Sequence, residues 1–140
     1  MASILKVDEM QGVTSAGDIT ITSEGGAATM QLQQGVAKAW INFTGVSTTA
    51  SRDSFNISSI TDAATGQTYP ISITSAMANA DYAGSYYQMG GSGTARGSFN
   101  NHYAGGFGDK ATTEFGTFAY GNGVAVDSGV NDVTIQGDLA

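Results

Sequence analysis

Cysteine is missing from all 140 residues, and proline, histidine and tryptophan occur once each. Without cysteine, disulfide frameworks, zinc–thiolate centres and thiol catalysis are excluded. Charge is also sparse: charged residues make up 12% of the chain, about half the share usual for a soluble domain. The cations are Lys6, Lys38, Arg52, Arg96 and Lys110, against a net charge of −7. Such a chain has no basic footprint for nucleic acid and no attraction to an anionic membrane. No apolar run approaches the roughly 20 residues that span a bilayer. The opening Met-Ala-Ser-Ile-Leu-Lys-Val-Asp-Glu turns charged too early for the apolar core of a signal peptide. The expectation is a protein made in the cytoplasm without membrane insertion.

What the chain does contain is glycine, with 20 copies, and a 41% hydrophobic share rich in β-branched and aromatic residues. Disordered linkers carry proline with glycine and few such residues, whereas Ile, Val, Thr, Phe and Tyr suit a pleated sheet. The length fits one domain that can bury a core without disulfides or metal. Solubility rests on Ser, Thr, Asn, Gln and Gly, a surface that is easily desolvated against another protein.

Along the chain the period is two, not 3.6. Residues 1–35 read as an N-terminal arm: Ile4, Leu5 and Val7 make a short apolar stretch, and Asp-Ile-Thr-Ile-Thr at 18–22 alternates through Ile19 and Ile21. After Gly25-Gly26, the segment 28–33 alternates again through Met30 and Leu32. Residues 36–140 read as the compact domain. Val36–Thr44 places Ala37, Ala39, Ile41 and Phe43 on one face and Val36, Lys38, Trp40 and Asn42 on the other. Arg52–Ile60 follows, with Phe55 and Ile57 expected inside. A turn at 62–66 leads to Thr68–Thr74, where Tyr69, Ile71 and Ile73 share a face and Pro70 marks an edge or a bulge. Residues 75–80 are too few for a helix. Strands are expected at 82–89, 94–103, 112–120, 124–126 and 133–136, and more than half of the twenty glycines lie between Gly84 and Gly123. Turn signals every 8–12 residues argue for an all-β fold, a single β-sandwich of jelly-roll or immunoglobulin-like type behind an extended arm.

No constellation of residues carries catalysis. His102 sits in a polar loop, and no serine stands in a Gly-x-Ser-x-Gly elbow that would pair with it. Asp53 and Asp62 could be the two carboxylates of a glycosidase, but Asp53 lies beside Arg52 and Asp62 opens a turn, as turn chemistry alone would place them. Asp127, Asn131, Asp132 and Asp138 offer oxygen ligands suited to calcium without the spacing of a calcium loop. Gly90-Gly-Ser-Gly93 lacks the lysine of a phosphate loop. The triplets Asn42-Phe-Thr and Asn56-Ile-Ser lie inside expected strands and read as chance. The expectation is a non-enzyme with no cofactor and no metal. Trp40, with Met30 and Leu32, is the candidate subunit interface. The tyrosines of the glycine-rich half suit adaptable contact, so Tyr86, Tyr87, Asn100, Asn101, His102 and Tyr103 are the candidate receptor-facing loop residues.

Two runs, Val36-Ala-Lys-Ala-Trp-Ile-Asn-Phe-Thr-Gly45 and Arg52-Asp-Ser-Phe-Asn-Ile-Ser-Ser-Ile-Thr-Asp62, resemble a repeated domain of bacteriophage tail-fibre and related virion proteins, frequent in phages of marine bacteria. Ile71-Ser-Ile-Thr-Ser-Ala-Met-Ala-Asn-Ala-Asp-Tyr-Ala83 and Val133-Thr-Ile-Gln-Gly-Asp138 look like its third and final strands. Ile4-Leu-Lys-Val-Asp-Glu-Met-Gln11 is similar to the leader of such fibres. The glycine-rich middle, where members diverge, carries nothing over. The resemblance implies a virion-surface structural protein, short for a fibre, attached by the arm through Ile4, Leu5, Val7, Ile19 and Ile21. It also implies a homotrimer that contacts other tail or capsid proteins. A capsid decoration or head-fibre protein stabilising the shell, and a carbohydrate-binding module for host adhesion, stand as the alternatives.

Overall fold

The structure, a computed structural model, describes residues 4–15, 18–89, 95–99, 110–121 and 124–140, with the backbone alone for 95–99. The chain divides into two compact units, Met1–Val36 and Ala37–Ala140. In the first, strands β1 (Thr20–Thr22) and β2 (Thr29–Gln31) form an antiparallel hairpin, and a single helical turn, α1 (Leu32–Gly35), follows. Both strands of this hairpin are exposed throughout.

The second unit is an all-β sandwich. One sheet has the order β4-β3-β11-β7, built from β3 (Ala39–Thr44), β4 (Ala50–Phe55), β7 (Ala83–Met89) and β11 (Val130–Gln136). The other joins β5 (Ile57–Ala64), β6 (Gln67–Ile73), β8 (Ala95–Phe99), β9 (Glu114–Gly121) and β10 (Val124–Ala125). All pairings are antiparallel. Ala119 donates its N–H to Gly66 O and accepts at its carbonyl from Val126 N. The N–H and C=O of one strand residue point the same way, so the β5–β6 turn and the chain leaving β10 share one side of β9. β8 therefore takes the other side.

The alternation that suits β3 to a sheet also sets the core. Ala39, Ile41 and Phe43 of β3 and Val133 and Ile135 of β11 face Ile71 and Ile73 of β6 and Phe115 of β9, with Met77 and Tyr82 closing one end. Each fully buried side chain of this size contributes roughly 1.5–3 kcal/mol. Pro70 lies on an inner strand, where a missing donor is tolerated only at a bulge. The register of β6 against β9 shifts between Thr68 and Ile71, around the proline.

Three expectations about strands are corrected. Tyr69 does not share the face of Ile71 and Ile73: the register shift around Pro70 turns its ring to the side of Gly116 and Glu114, opposite the buried Phe115. Residues 52–60 do not form one strand. Asn56 adopts φ 57°, which ends β4 and starts β5 in the opposite sheet. Its side chain fixes this corner, donating to Lys38 O (2.9 Å) and Ser75 O (3.1 Å) and accepting from Ser75 N (2.6 Å). Asparagine tolerates this left-handed conformation better than most side chains. Phe55 therefore points outward and is 53% exposed, rather than inside as its spacing from Ile57 implied. The turn at 62–66 is also shorter than expected, because β5 continues to Ala64 and only Thr65-Gly66 separates it from β6.

Candidate functional site

The face of β4-β3-β11-β7 that looks away from the core carries, among the described residues, the exposed rings of Phe55 and Tyr87 beside the half-buried Trp40. Register and alternation place them. Trp40 of β3 lies between Phe55 of β4 and Thr134 of β11, and Thr134 is paired in turn with Ser85 of β7. One row along, Asn42 lies between Asp53 and Asp132, and Asp132 is opposite Tyr87. Beyond these, Val130 is opposite Met89. Tyr87 is 58% exposed and Met89 54%, while Trp40 is half-buried.

A row of polar side chains crosses β4, β3 and β11 beside Phe55 and Trp40 and ends at Tyr87. Asn42 donates from Nδ2 to Asp132 Oδ1 and accepts at Oδ1 from Arg52 (3.4 Å). Arg52 also donates to Gly129 O. The β3–β4 register shifts between Asn42 and Phe43, so Arg52 is the extra residue of a bulge. Bulges of this kind re-aim a side chain, and here the guanidinium is turned toward Asn42. A guanidinium has five N–H donors in a fixed fork, and this one spends only part of them on protein.

The other predicted residues go elsewhere. Tyr86 is not in a loop. It is on β7, points into the sandwich and donates from its hydroxyl to Asn131 Oδ1 at 2.5 Å. Tyr87, its neighbour, is on the same strand and not in a loop either, but faces out. Asn100, Asn101, His102 and Tyr103 lie outside the described residues. Ile4 (78%), Leu5 (79%), Val7 (51%) and Ile21 (41%) of the arm are exposed, as is Met30 (52%), while Ile19 and Leu32 are half-buried.

The suspected calcium ligands are dispersed. Asp127 accepts from Gly66 N (2.8 Å), Asn131 is buried and Asp132 is on the outer face. Among the described residues no group of three or more His, Cys, Asp or Glu could hold a metal ion. At one end of the sandwich a cavity of about 10 Å³ is lined by residues including Asp62, Gln67, Tyr86, Asp127 and Asn131. That is room for about one water molecule. No described helix is long and apolar enough to cross a membrane.

Three tyrosines are held protonated beyond their usual range. Burial pushes Tyr82 up from 10.0 to about 12, with the negative charge of Glu114 adding to it. Burial also raises Tyr86, against a hydrogen bond from Thr117. Tyr69 is raised chiefly by its hydrogen bond to Glu114, 2.6 Å long. The unfolded chain releases these protons first, so stability that is complete below pH 10 is lost as the pH rises toward 12. The expected result is a urea midpoint that falls steeply across that window, and more shallowly in Tyr82→Phe. A midpoint indifferent to that substitution would place Tyr82 outside the core.

No protein-family model, curated protein or solved structure matches the chain. Of this outer face, the sequence reading placed Trp40 and Asn42 by their orientation, whereas Lys38, expected beside them, is buried ahead of β3. The signal for Asp132 and Thr134 was parity: they alternate with the buried Asn131, Val133 and Ile135.

Proposed function

We propose that this chain is a non-enzymatic structural protein of a bacteriophage particle, a short tail-fibre-like surface protein attached through its N-terminal arm. The observation that carries the reading is the arm itself. Ile4, Leu5, Val7, Met10, Val13, Ile21 and Met30 are all at least 41% exposed. Its two-stranded hairpin has open edges, and such hairpins are marginal in water alone. A segment of that kind gains most by ordering against neighbouring chains, where its apolar side chains are covered and its strand edges are paired. The second unit has its own core and is suited to display. The resemblance to fibre domains in residues 36–62 and the low charge support the same reading, and cyclic assembly as a homotrimer would supply the arm with partners.

Deleting residues 1–30 should abolish incorporation into particles assembled in its presence, while the sandwich keeps its cooperative thermal unfolding. Truncated protein found at full occupancy on particles would end the proposal. Cryo-electron microscopy of the intact particle then separates tail from head. Copies at the tail tip or collar make a fibre, and copies arrayed across the capsid lattice make a decoration protein.

A further inference from the structure

We propose that the cavity at one end of the sandwich holds one structural water molecule, which donates to Gln67 Oε1 and to the Asp127 carboxylate and so ties β6 to the connection that leads into β11. The inference concerns the interior of the second unit and is independent of how the arm attaches. Here the filling of the sandwich changes character. Thr68, Thr117, Ser128 and Asn131 are buried around the cavity, whereas the hydrophobic core is built from side chains such as Ile41, Ile71 and Phe115. A cavity lined by apolar groups stays dry, but a polar one of about 10 Å³ has room for one water molecule and the partners to hold it. Gln67 also lines it, and its Oε1 is buried with no hydrogen-bond partner among the described residues. An acceptor left in that state costs free energy.

Donors of the protein around this cavity are committed elsewhere. The Tyr86 hydroxyl donates to Asn131 Oδ1, and Asn131 Nδ2 donates to Ser128 O and Phe43 O. The Ser128 hydroxyl proton is shared between Met89 O and Val130 O, and Thr117 donates to Tyr86. None of these is left for Gln67. A water molecule brings the missing donor, and a hydrogen bond lets it approach the oxygen more closely than van der Waals contact would. Its second proton has an acceptor at hand. Asp127 lines the same cavity, and the bond from Gly66 N to its Oδ1 (2.8 Å) fixes the carboxylate beside the residue that precedes Gln67. A cation is the other occupant that a buried oxygen attracts. Calcium takes about 6–8 oxygens at 2.3–2.6 Å, and among the described residues no three His, Cys, Asp or Glu side chains gather to supply them.

The test is a high-resolution crystal structure of the full-length protein, grown without divalent metal. A single solvent peak should lie about 2.5–3.0 Å from Gln67 Oε1 and from one oxygen of Asp127. In Gln67→Met, which keeps the length of the side chain and removes the acceptor, that peak should be lost. Added calcium chloride should leave the melting temperature of the unsubstituted protein where it was. A cavity without a peak would overturn the inference, and so would a peak that touches only one of the two residues. A peak that stays in place in Gln67→Met would show that other groups hold the water, and the role given to Gln67 would fall. Should the melting temperature rise with calcium, and a peak then stand about 2.3–2.6 Å from several oxygens, the occupant would be a cation and the inference would be overturned as well.

Discussion

Gly66→Ala should unfold the sandwich at a temperature roughly 10–20 °C lower, the largest single effect expected from adding one methyl group. Gly66 is the second residue of the two-residue β5–β6 turn and has φ +71°. An alanine pays about 1–2 kcal/mol for that left-handed conformation alone. Space makes it worse. A Cβ here would lie 2.6 Å from Ala119 O and 2.9 Å from Val126 N, both backbone atoms that no rotamer change can move aside. Relieving the clash displaces the turn, which Gly66 holds by two bonds, accepting from Ala119 N of β9 (2.7 Å) and donating to Asp127 Oδ1 beyond β10 (2.8 Å). With the strain, losing them brings the total to about 3–4 kcal/mol. Gly129→Ala is the control, since a Cβ there meets nothing within 4 Å. Equal melting temperatures for the two variants would mean that the turn does not pack on β9 as described.

The same turn shows how far the sequence reaches. Glycine at its end marked position 66, but nothing local told that β5 would run on to Ala64, because that depends on pairing with β6. Alternation was a sound guide wherever a strand runs without a bulge in one sheet, and it lost Tyr69 where β6 shifts register around Pro70. It placed Ala39, Ile41 and Phe43 inside and Trp40 outside, and it put Ile71 and Ile73 in the core. It failed at Phe55 because parity is defined only within one sheet, and Asn56 carries the chain from one sheet to the other. The asparagine in Ser-Phe-Asn-Ile-Ser was the available sign of that corner. Tyr86 and Tyr87 illustrate a different limit. Adjacent strand residues must face opposite ways, so the pair could never serve one surface together. The polar band was hidden for a further reason: Arg52, Asn42 and Asp132 come from three strands that only the register brings side by side.

Asn131→Leu should cost about 3 kcal/mol, and adding Tyr86→Phe should restore a large part of it. Asn131 shares the parity of Val133 and Ile135 and is 2% exposed, a polar residue inside the sandwich. It is there because every arm of its amide is used. Nδ2 donates to Ser128 O (3.0 Å) and Phe43 O (3.4 Å), and Oδ1 accepts from the Tyr86 hydroxyl. The one hydroxyl proton of Ser128 is shared between Met89 O and Val130 O, both at 2.9 Å, so one network ties the β10–β11 connection to β3 and β7. Leucine matches the amide in size but accepts nothing, and the Tyr86 hydroxyl then loses its shortest partner in a largely dry site. Removing one member of a buried pair costs more than removing both. The double variant Asn131→Leu/Tyr86→Phe should therefore be clearly more stable than Asn131→Leu alone, despite carrying two changes. Urea unfolding of the four proteins completes the cycle. Strictly additive losses would show that the two side chains do not share a bond. A coupling of about 1–2 kcal/mol would confirm that a polar bridge, as well as the hydrophobic core, holds β7 to β11 at the edge that carries Tyr87 on its outer side.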